Sequence, residues 1–263
     1  EKNPAFDWKV GESMVEVSSY FVTRVLQLYD YLSREQLAKQ SFRFWFHNGH
    51  VRRLREASEV GPTQLARLPA FQLDRSTFDE HLLQQAAVEG AEVWRPAKAI
   101  EIRLADETGE ANNVIVVERG AHQAEVRSRW VVDATGRIAM IARKKNMLHA
   151  LEEHPTAAVW ARFRNVKDLD GPEVWGHNPA DPLIRCVIAS RRLATNHFTG
   201  YGYWIWLIPL KSGHTSVGLV WDKRLVEPPG QTAQEKLLRF LHENPLTCEL
   251  MEHAVIEPGD ARM

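Results

Sequence analysis

The stretch from Asp74 to Arg137 constrains the fold more than any other, because it sets down helix, turn and strands in a fixed order. Asp74 or Ser76 is placed to cap a helix running to about Glu89, and Gly90 stands where a left-handed residue after a helix is wanted. The segment AEVWRP at 91–96 then reads as a strand. Three further strands at 99–104, 114–118 and 123–132, joined by ADETGEANN and the tighter RGA, predict an antiparallel meander. The meander delivers Val131-Val-Asp-Ala-Thr-Gly-Arg137. A strand that stops in Asp-Ala-Thr-Gly before a helix brings backbone N–H groups to a sheet's carboxyl edge, where open α/β folds hold nucleotides. Alone, that pattern is shared by many Gly turns that follow an apolar run.

The flanking segments supply the rest of an α/β chain. Met14, Val17, Phe21, Val25, Leu28 and Leu32 recur at three- and four-residue steps, which predicts one helix over 13–32 with Ser13 as its cap. In 41–46, Phe42, Phe44 and Phe46 alternate with Arg43 and Trp45, the period of a strand with both faces in use. The basic segment 50–63 reads as a loop or mobile flap. Beyond Gly136 come a short helix at 138–147, strands at 156–163, 183–190, 197–209 and 215–221 forming a sheet with one aromatic face, and helices at 231–242 and 246–253. No linker rich in Pro, Gly or Ser divides the chain, so two domains would be interleaved: 1–40 with 70–150, and 41–69 with 151–263.

Composition excludes several classes. With 263 residues, 44% hydrophobic and 25% charged, the chain can bury a full core, so disorder is not its main state. A net charge of −1 and the lack of a basic stripe argue against nucleic acid. Cys186 and Cys248 form no CxxC pair, and the 11 histidines show no HxH or HxxxH spacing, so no metal site is expected. His47 and His50 read as surface residues. Without an apolar run of membrane length or a signal peptide, the expected location is cytoplasmic, with no membrane span. The chain opens at Glu1 without Met, within what reads as a loop, which suggests a piece of something longer.

Arg75 leading its helix, GAEV at 90–93, the meander and DATGR, in that order, resemble the FAD-dependent aromatic hydroxylase superfamily. Val10-Gly11-Glu12-Ser13 resembles the segment that lies against the flavin in the halogenase branch. Tyr203-Trp-Ile-Trp-Leu-Ile-Pro209 resembles the GWxWxIP motif of the tryptophan-halogenase-like, flavin-dependent halogenases. It matches at Trp204, Trp206, Ile208 and Pro209, with Tyr203 where the family has Gly and Gly202 one position early. By strand alternation Trp204 and Trp206 share a face, and Tyr203, Ile205 and Leu207 take the other. Lys39 stands where the family has a lysine, after VGES and before an aromatic-basic strand. Arg43 is the other basic candidate, but a guanidinium cannot become a free amine.

The resemblance implies a Rossmann-like FAD-binding domain, incomplete here, interleaved with a mainly antiparallel substrate-binding sheet. No GxGxxG occurs in the 263 residues, and the family's first βαβ unit and last part lie outside them. It further implies that Val10, Gly11, Glu12, Ser13, Arg75, Asp133, Ala134, Thr135, Gly136 and Arg137 bind FAD. Trp204, Trp206, Ile208 and Pro209 would wall the substrate, and Lys39 would direct hypohalous acid made from halide, oxygen and reduced FAD. A separate flavin reductase would supply the reduced cofactor. The substrate would be an electron-rich aromatic such as a phenol, pyrrole or indole, free or tethered to a carrier protein. Alternatives are an aromatic hydroxylase using the same cofactor, a flavin-dependent isoprenoid reductase and a catalytically inactive ligand-binding relative. Gly259-Asp260-Ala261 is read as a Pro-Gly turn rather than a flavin contact.

Overall fold

A computed structural model describes residues 1–62, 64–109, 111–176 and 190–263. Two compact units emerge, one of residues 1–8 with 75–152 and a larger one of 9–74 with 153–263. Residues 9–40 therefore cluster with the larger unit.

The larger unit opens with a correction. The expected helix over 13–32 is broken into Glu16–Tyr20, a π-helical turn at Phe21–Val25 and a second helix at Tyr29–Glu35, with Gln27 between them at a φ of 56°. Ser13 does not cap it: its Oγ shares a 2.6 Å hydrogen bond with Thr195 Oγ1, and Val15 holds the cap position without a side-chain bond. A π-turn inserts a residue and rotates the stripe. Val17, which precedes the turn, and Phe21 and Val25 within it face solvent, Val17 at 80% exposure, while Met14, Val22 and Leu32 are buried.

Strand β1 (Leu37–Lys39) follows, then β2 (Phe42–Phe46), β3 (Ser58–Val60) and β4 (Ala70–Gln72). β1 and β4 form an antiparallel ribbon that Ser13 joins by a bridge to Gln72. The segment expected to be a flap is packed instead, with Val51 and Leu54 in the core and β3 within it.

The smaller unit holds the helix Arg75–Val88, closed by Gly90 at a φ of 96°, and the meander of β5 (Lys98–Arg103), β6 (Asn113–Arg119) and β7 (His122–Ser128). All of its pairs are antiparallel. The segment 91–96 is not a strand: the Trp94 carbonyl accepts from the Glu1 main-chain nitrogen, and Arg95 grips Glu80 at 2.7 and 2.8 Å. The last strand stops at Ser128, short of the expected 132. Asn113 Nδ2 donates to the Ser128 and Arg129 carbonyls there, and Trp130 and Val132 are left exposed.

Back in the larger unit, β8 (Thr156–Arg164), β9 (Thr195–Gly200), β10 (Tyr203–Pro209), β11 (Thr215–Asp222) and β12 (Val255–Ile256) complete a sheet in the order β12-β8-β11-β10-β9-β2-β3. Every pair is antiparallel except β2 with β9, so the sheet is mixed. The expected single strand over 197–209 is a hairpin turned at Tyr201-Gly202, and the expected strand at 183–190 lies, but for Ser190, outside the described residues. Gly202 has a φ of 79°, and a Cβ there would meet Leu225 at 2.7 Å, so both conformation and space call for glycine.

One face of the sheet carries the core: Trp45, Phe163, Phe198, Ile205, Val217 and Leu219 pack with Leu237 and Leu241 of the helix Ala233–Glu243. That helix starts in a capping box, Thr232 accepting from Glu235 N at 3.1 Å while the Glu235 carboxylate returns to Thr232 N. The helix expected over 246–253 shortens to Cys248–Met251. Because a cap bond is worth about 1 kcal/mol, Thr232→Ala is expected to lower unfolding free energy by about that amount, with Thr232→Ser close to wild type in urea titration.

Candidate functional site

The site is built on the face of the large sheet that the core does not use. Along β10, Ile205 and Leu207 enter the core and Tyr203 packs against it, so Trp204 and Trp206 project from the other side, as the alternation requires. Trp206 lies over Gly218 of β11, where a Cβ would come within 2.2 Å of its ring, and its Nε1 donates to Ser216 Oγ at 3.3 Å. Across β9, Trp206 pairs with His197 and Trp204 with Thr199, and β2 continues the row by pairing Phe44 with His197 and Phe42 with Thr195. The His197 ring stacks on Phe44 at 5.2 Å and 16° and lies 5.7 Å from Phe42. Phe44, Phe46 and Trp204 remain 38–43% exposed, so the face is an accessible aromatic surface.

Tyr203, which departs from the motif, does not intrude on this surface. It is edge-on to Phe240 at 4.9 Å, accepts from Asn244 Nδ2 at 2.7 Å and contacts His47 Nδ1 at 3.2 Å, with Gly200 leaving room for its ring. Ile208 and Pro209 are buried at the strand's end. Arg43 also turns to the core side, where it and Arg191 share Glu59, at 2.6 and 2.8 Å. It is therefore not the basic group of the aromatic face.

Lys39 is. It lies in β1 rather than at a helix end, 1% exposed, with Nζ donating to the Met14 carbonyl at 2.7 Å and 3.6 Å from the centroid of Phe42. Burial pushes its pKa down to about 8, against a small opposing pull from Glu16. A cavity of ≈ 350 Å³ adjoins it, lined in part by Tyr29, Gln36, Gln40 and Phe71.

Beside the same face sits a buried ionic cluster. Arg162, with no exposed surface, donates from Nη2 to Glu12 Oε1 at 2.7 Å and to the Lys9 carbonyl at 2.9 Å, and its main-chain N–H donates to Asp260 Oδ2 at 2.7 Å. Asp260 follows the expected turn at Pro258-Gly259, which has a φ of 73° at the glycine, but is buried in the cluster. Burial raises the Glu12 pKa to about 7, opposed by Arg162 and a hydrogen bond to Ser216 and assisted by Asp74. Val10 and Gly11, the latter at a φ of 95°, lead into this corner. Sequence reasoning missed His197, Thr195, Ser216 and Arg162; only the two-residue spacing of Thr195, His197 and Thr199 hinted at a shared face.

The smaller unit carries the other expected cofactor residues. Arg75 forms a fork with Asp79 at 2.7 and 2.9 Å. Asp133 accepts from Thr135 N, Thr135 Oγ1 and Ile141 N, and these bonds hold its carboxyl below the usual range while organising the turn into the helix Met140–Lys144. Ala134, Gly136 and Arg137 are exposed, Gly136 at a φ of 62° with open space beside it.

A carboxyl whose pKa is raised in the folded state favours folding fully below its unfolded value and loses that contribution as pH climbs through the folded one. Between about pH 5 and 8 the stability of wild type relative to Glu12→Gln is therefore expected to fall, by on the order of 2–3 kcal/mol, in paired thermal or urea unfolding. A pH-independent difference would contradict the assignment.

No protein-family model matches the chain. It is 26% identical over 259 residues to flavin-dependent halogenase chlA of Dictyostelium discoideum, covering 90% of this chain and 41% of that protein. Flavin-dependent halogenase armH5 of Armillaria mellea is 23% identical over 80% of the chain and 38% of its own length. A 1H-pyrrole-2-carbonyl-[peptidyl-carrier protein] chlorinase of Pseudomonas fluorescens is 27% identical over 59% of the chain and 31% of its own length. Among solved structures, halogenase PltM in complex with phloroglucinol and FAD superposes with a TM-score of 0.78 at 18% identity, over 99% of this chain and 53% of that one. The flavin-dependent halogenase CmlS gives 0.72 at 22% identity, over 100% and 44%. The chain thus spans about two fifths of the length of the curated relatives it matches. Over most of its length the chain is similar in sequence to flavin-dependent halogenases, and it shares a mixed α/β fold with solved halogenase structures.

Proposed function

We propose that the chain is the substrate-facing part of an FAD-dependent halogenase that acts on an electron-rich aromatic compound with reduced FAD, oxygen and halide. The observation that carries this reading is Lys39, a buried amine with a pKa near 8 beside an accessible aromatic face. An ordinary lysine is almost wholly ammonium at neutral pH, whereas one with this pKa presents a nucleophilic amine fraction that hypohalous acid can hydrogen-bond or halogenate. Arg43, tied to Glu59, has neither the chemistry nor the place.

The residues of the larger unit fit a polar cofactor. Glu12 Oε2 and both polar ends of the Gln72 side chain are buried without a hydrogen-bond partner among the described residues, and Gln72 bridges to Ser13. Groups like these cost free energy unless a ligand or water satisfies them. We assign Val10 to Ser13 on this unit, and Arg75 with residues 133–137 on the smaller one, to holding FAD. The smaller unit then forms part of a Rossmann-like FAD-binding domain and the larger sheet the substrate-binding domain. When bound and reduced, FAD supplies the electrons with which oxygen is activated to oxidise halide. The chain's own residues hold the aromatic ring, exclude water from the face and place the Lys39 amine. Trp204 and Trp206 keep the substrate off the cofactor. A separate flavin reductase would recycle FAD. The carrier-protein substrate in the Pseudomonas relative's name makes a tethered substrate a second option beside a free phenol, pyrrole or indole.

The nearest rival is an aromatic hydroxylase using the same cofactor. Tyr203 would have favoured it by altering the wall, but its ring turns to the core side and leaves the wall intact. No helix among the described residues is long and apolar enough to cross a membrane.

Lys39→Met tests the reading through two opposed effects. Halogenated product, followed as a bromine isotope doublet with reduced FAD, oxygen, bromide and a phenol panel, is expected to disappear. A lysine whose pKa is depressed in the folded state destabilises the fold at pH values below that pKa, and the cost is lost as pH rises toward the unfolded value. The variant is accordingly expected to melt higher than wild type at neutral pH, with the gap narrowing as pH rises from about 8 toward 10. Retained halogenation, or product heavier by oxygen alone, would overturn the assignment.

A further inference from the structure

We propose that His197 is the polar anchor of the aromatic face, a neutral imidazole that accepts a hydrogen bond from the O–H of a phenolic substrate and so selects hydroxylated rings. The inference rests on reading that face as the substrate's seat, and deepens it by naming the recognised group.

The placement is set by strand register. His197 pairs with Trp206 on one side and Phe44 on the other, so it stands in the middle of the aromatic row and on the same face. Its stack on Phe44, tilted by only 16°, and its approach to Phe42 at 5.7 Å fix the plane of the ring. A fixed plane fixes the directions of the ring lone pair and N–H. Among the described residues no side chain or main-chain group hydrogen-bonds to either nitrogen, although the residue is half-buried. The cost of leaving these groups unpaired falls when a ligand with a polar edge covers the face. Phe42, Phe44, Trp204 and Trp206 can stack on a ring but cannot tell phenol from its methyl ether; His197 can.

The protonation state suits an acceptor. Burial lowers the His197 pKa, and the Lys39 cation lowers it further. Lys39, from β1, is the charged group set against His197, while the flanking strands present Phe42, Phe44 and Trp206. At neutral pH the imidazole is therefore uncharged, with one nitrogen open to accept. A phenol that donates to it gains electron density on its ring, which favours attack by an electrophile at the positions ortho and para to the oxygen. No bond other than the hydrogen bond needs to form at this residue.

The test uses binding and needs no cofactor. The 263-residue chain is titrated with phenol and with anisole, the same ring without the donor, by isothermal calorimetry at neutral pH. Wild type is expected to bind phenol about tenfold more tightly than anisole, the difference one good hydrogen bond supplies. In His197→Phe, which keeps the stack, anisole affinity is retained and the preference vanishes; in His197→Gln, which keeps an acceptor, part of it returns. Acidification that protonates the ring is expected to erase the preference in wild type and to change nothing in His197→Phe. Equal binding of the two ligands by wild type, a preference that survives in His197→Phe, or no binding of either would overturn the proposal. Halogenation is read separately. Phenol selectivity without halogenation would sink only the proposed function, whereas halogenation without phenol selectivity would sink only the role of His197.

Discussion

The two-residue period of the large sheet is the constraint on which the rest depends. Each of β2, β9 and β10 has to serve a core on one side and an accessible aromatic surface on the other, and the pleat permits both in one strand. Trp45, Phe198 and Ile205 go inward, while Phe44, His197, Trp204 and Trp206 go outward. A slip of one residue in any of these strands would put the outward aromatic residues into the core and the core into solvent. The tight fit of Trp206 over Gly218 and of Tyr203 beside Gly200 holds that register, since each glycine admits a ring where any side chain would collide.

Electrostatics on this face follow from burial. Two groups that water would keep charged, Lys39 and Glu12, are both pushed toward neutrality, to about 8 and about 7. The fold tolerates them because each has a defined anchor: Lys39 has a carbonyl and an aromatic ring, and Glu12 has Arg162. Such arrangements stabilise little and are often costly, which is why they mark function more reliably than they mark stability. The Arg162 cluster also joins distant parts of the sequence, since Lys9, Glu12 and Asp260 all bond to one side chain or its main chain.

Much of this was legible in the sequence wherever period and chemistry agreed. The meander, the helix closed by Gly90, the β2 alternation and the two faces of β10 followed from spacing; Lys39 stood out only by resemblance to the family's lysine, and its burial against Met14 and Phe42 was not legible. The failures have physical causes. The stripe from Met14 to Leu32 is helical in period, but Ser13 is committed to Thr195 and a π-turn interrupts the helix, with Val17, Phe21 and Val25 in solvent. The segment 91–96 has strand composition, yet its groups are claimed by Glu1 and Glu80. His197 was invisible because one histidine in an aromatic strand looks like any other until β2 is known to run parallel beside β9. Asp260 was read correctly as following a turn, but its burial against Arg162 depends on a contact 98 residues away.

The central claim is that Lys39 is an amine held ready near neutral pH, and the most direct measurement is its own titration. Lysine side chains labelled with carbon-13 at the ε position can be followed by NMR against pH, with Lys39→Met identifying the signal. The account predicts a midpoint near 8, well below the remaining lysines. A midpoint at the ordinary lysine value would contradict it, leaving Lys39 a buried ammonium that only supports the fold.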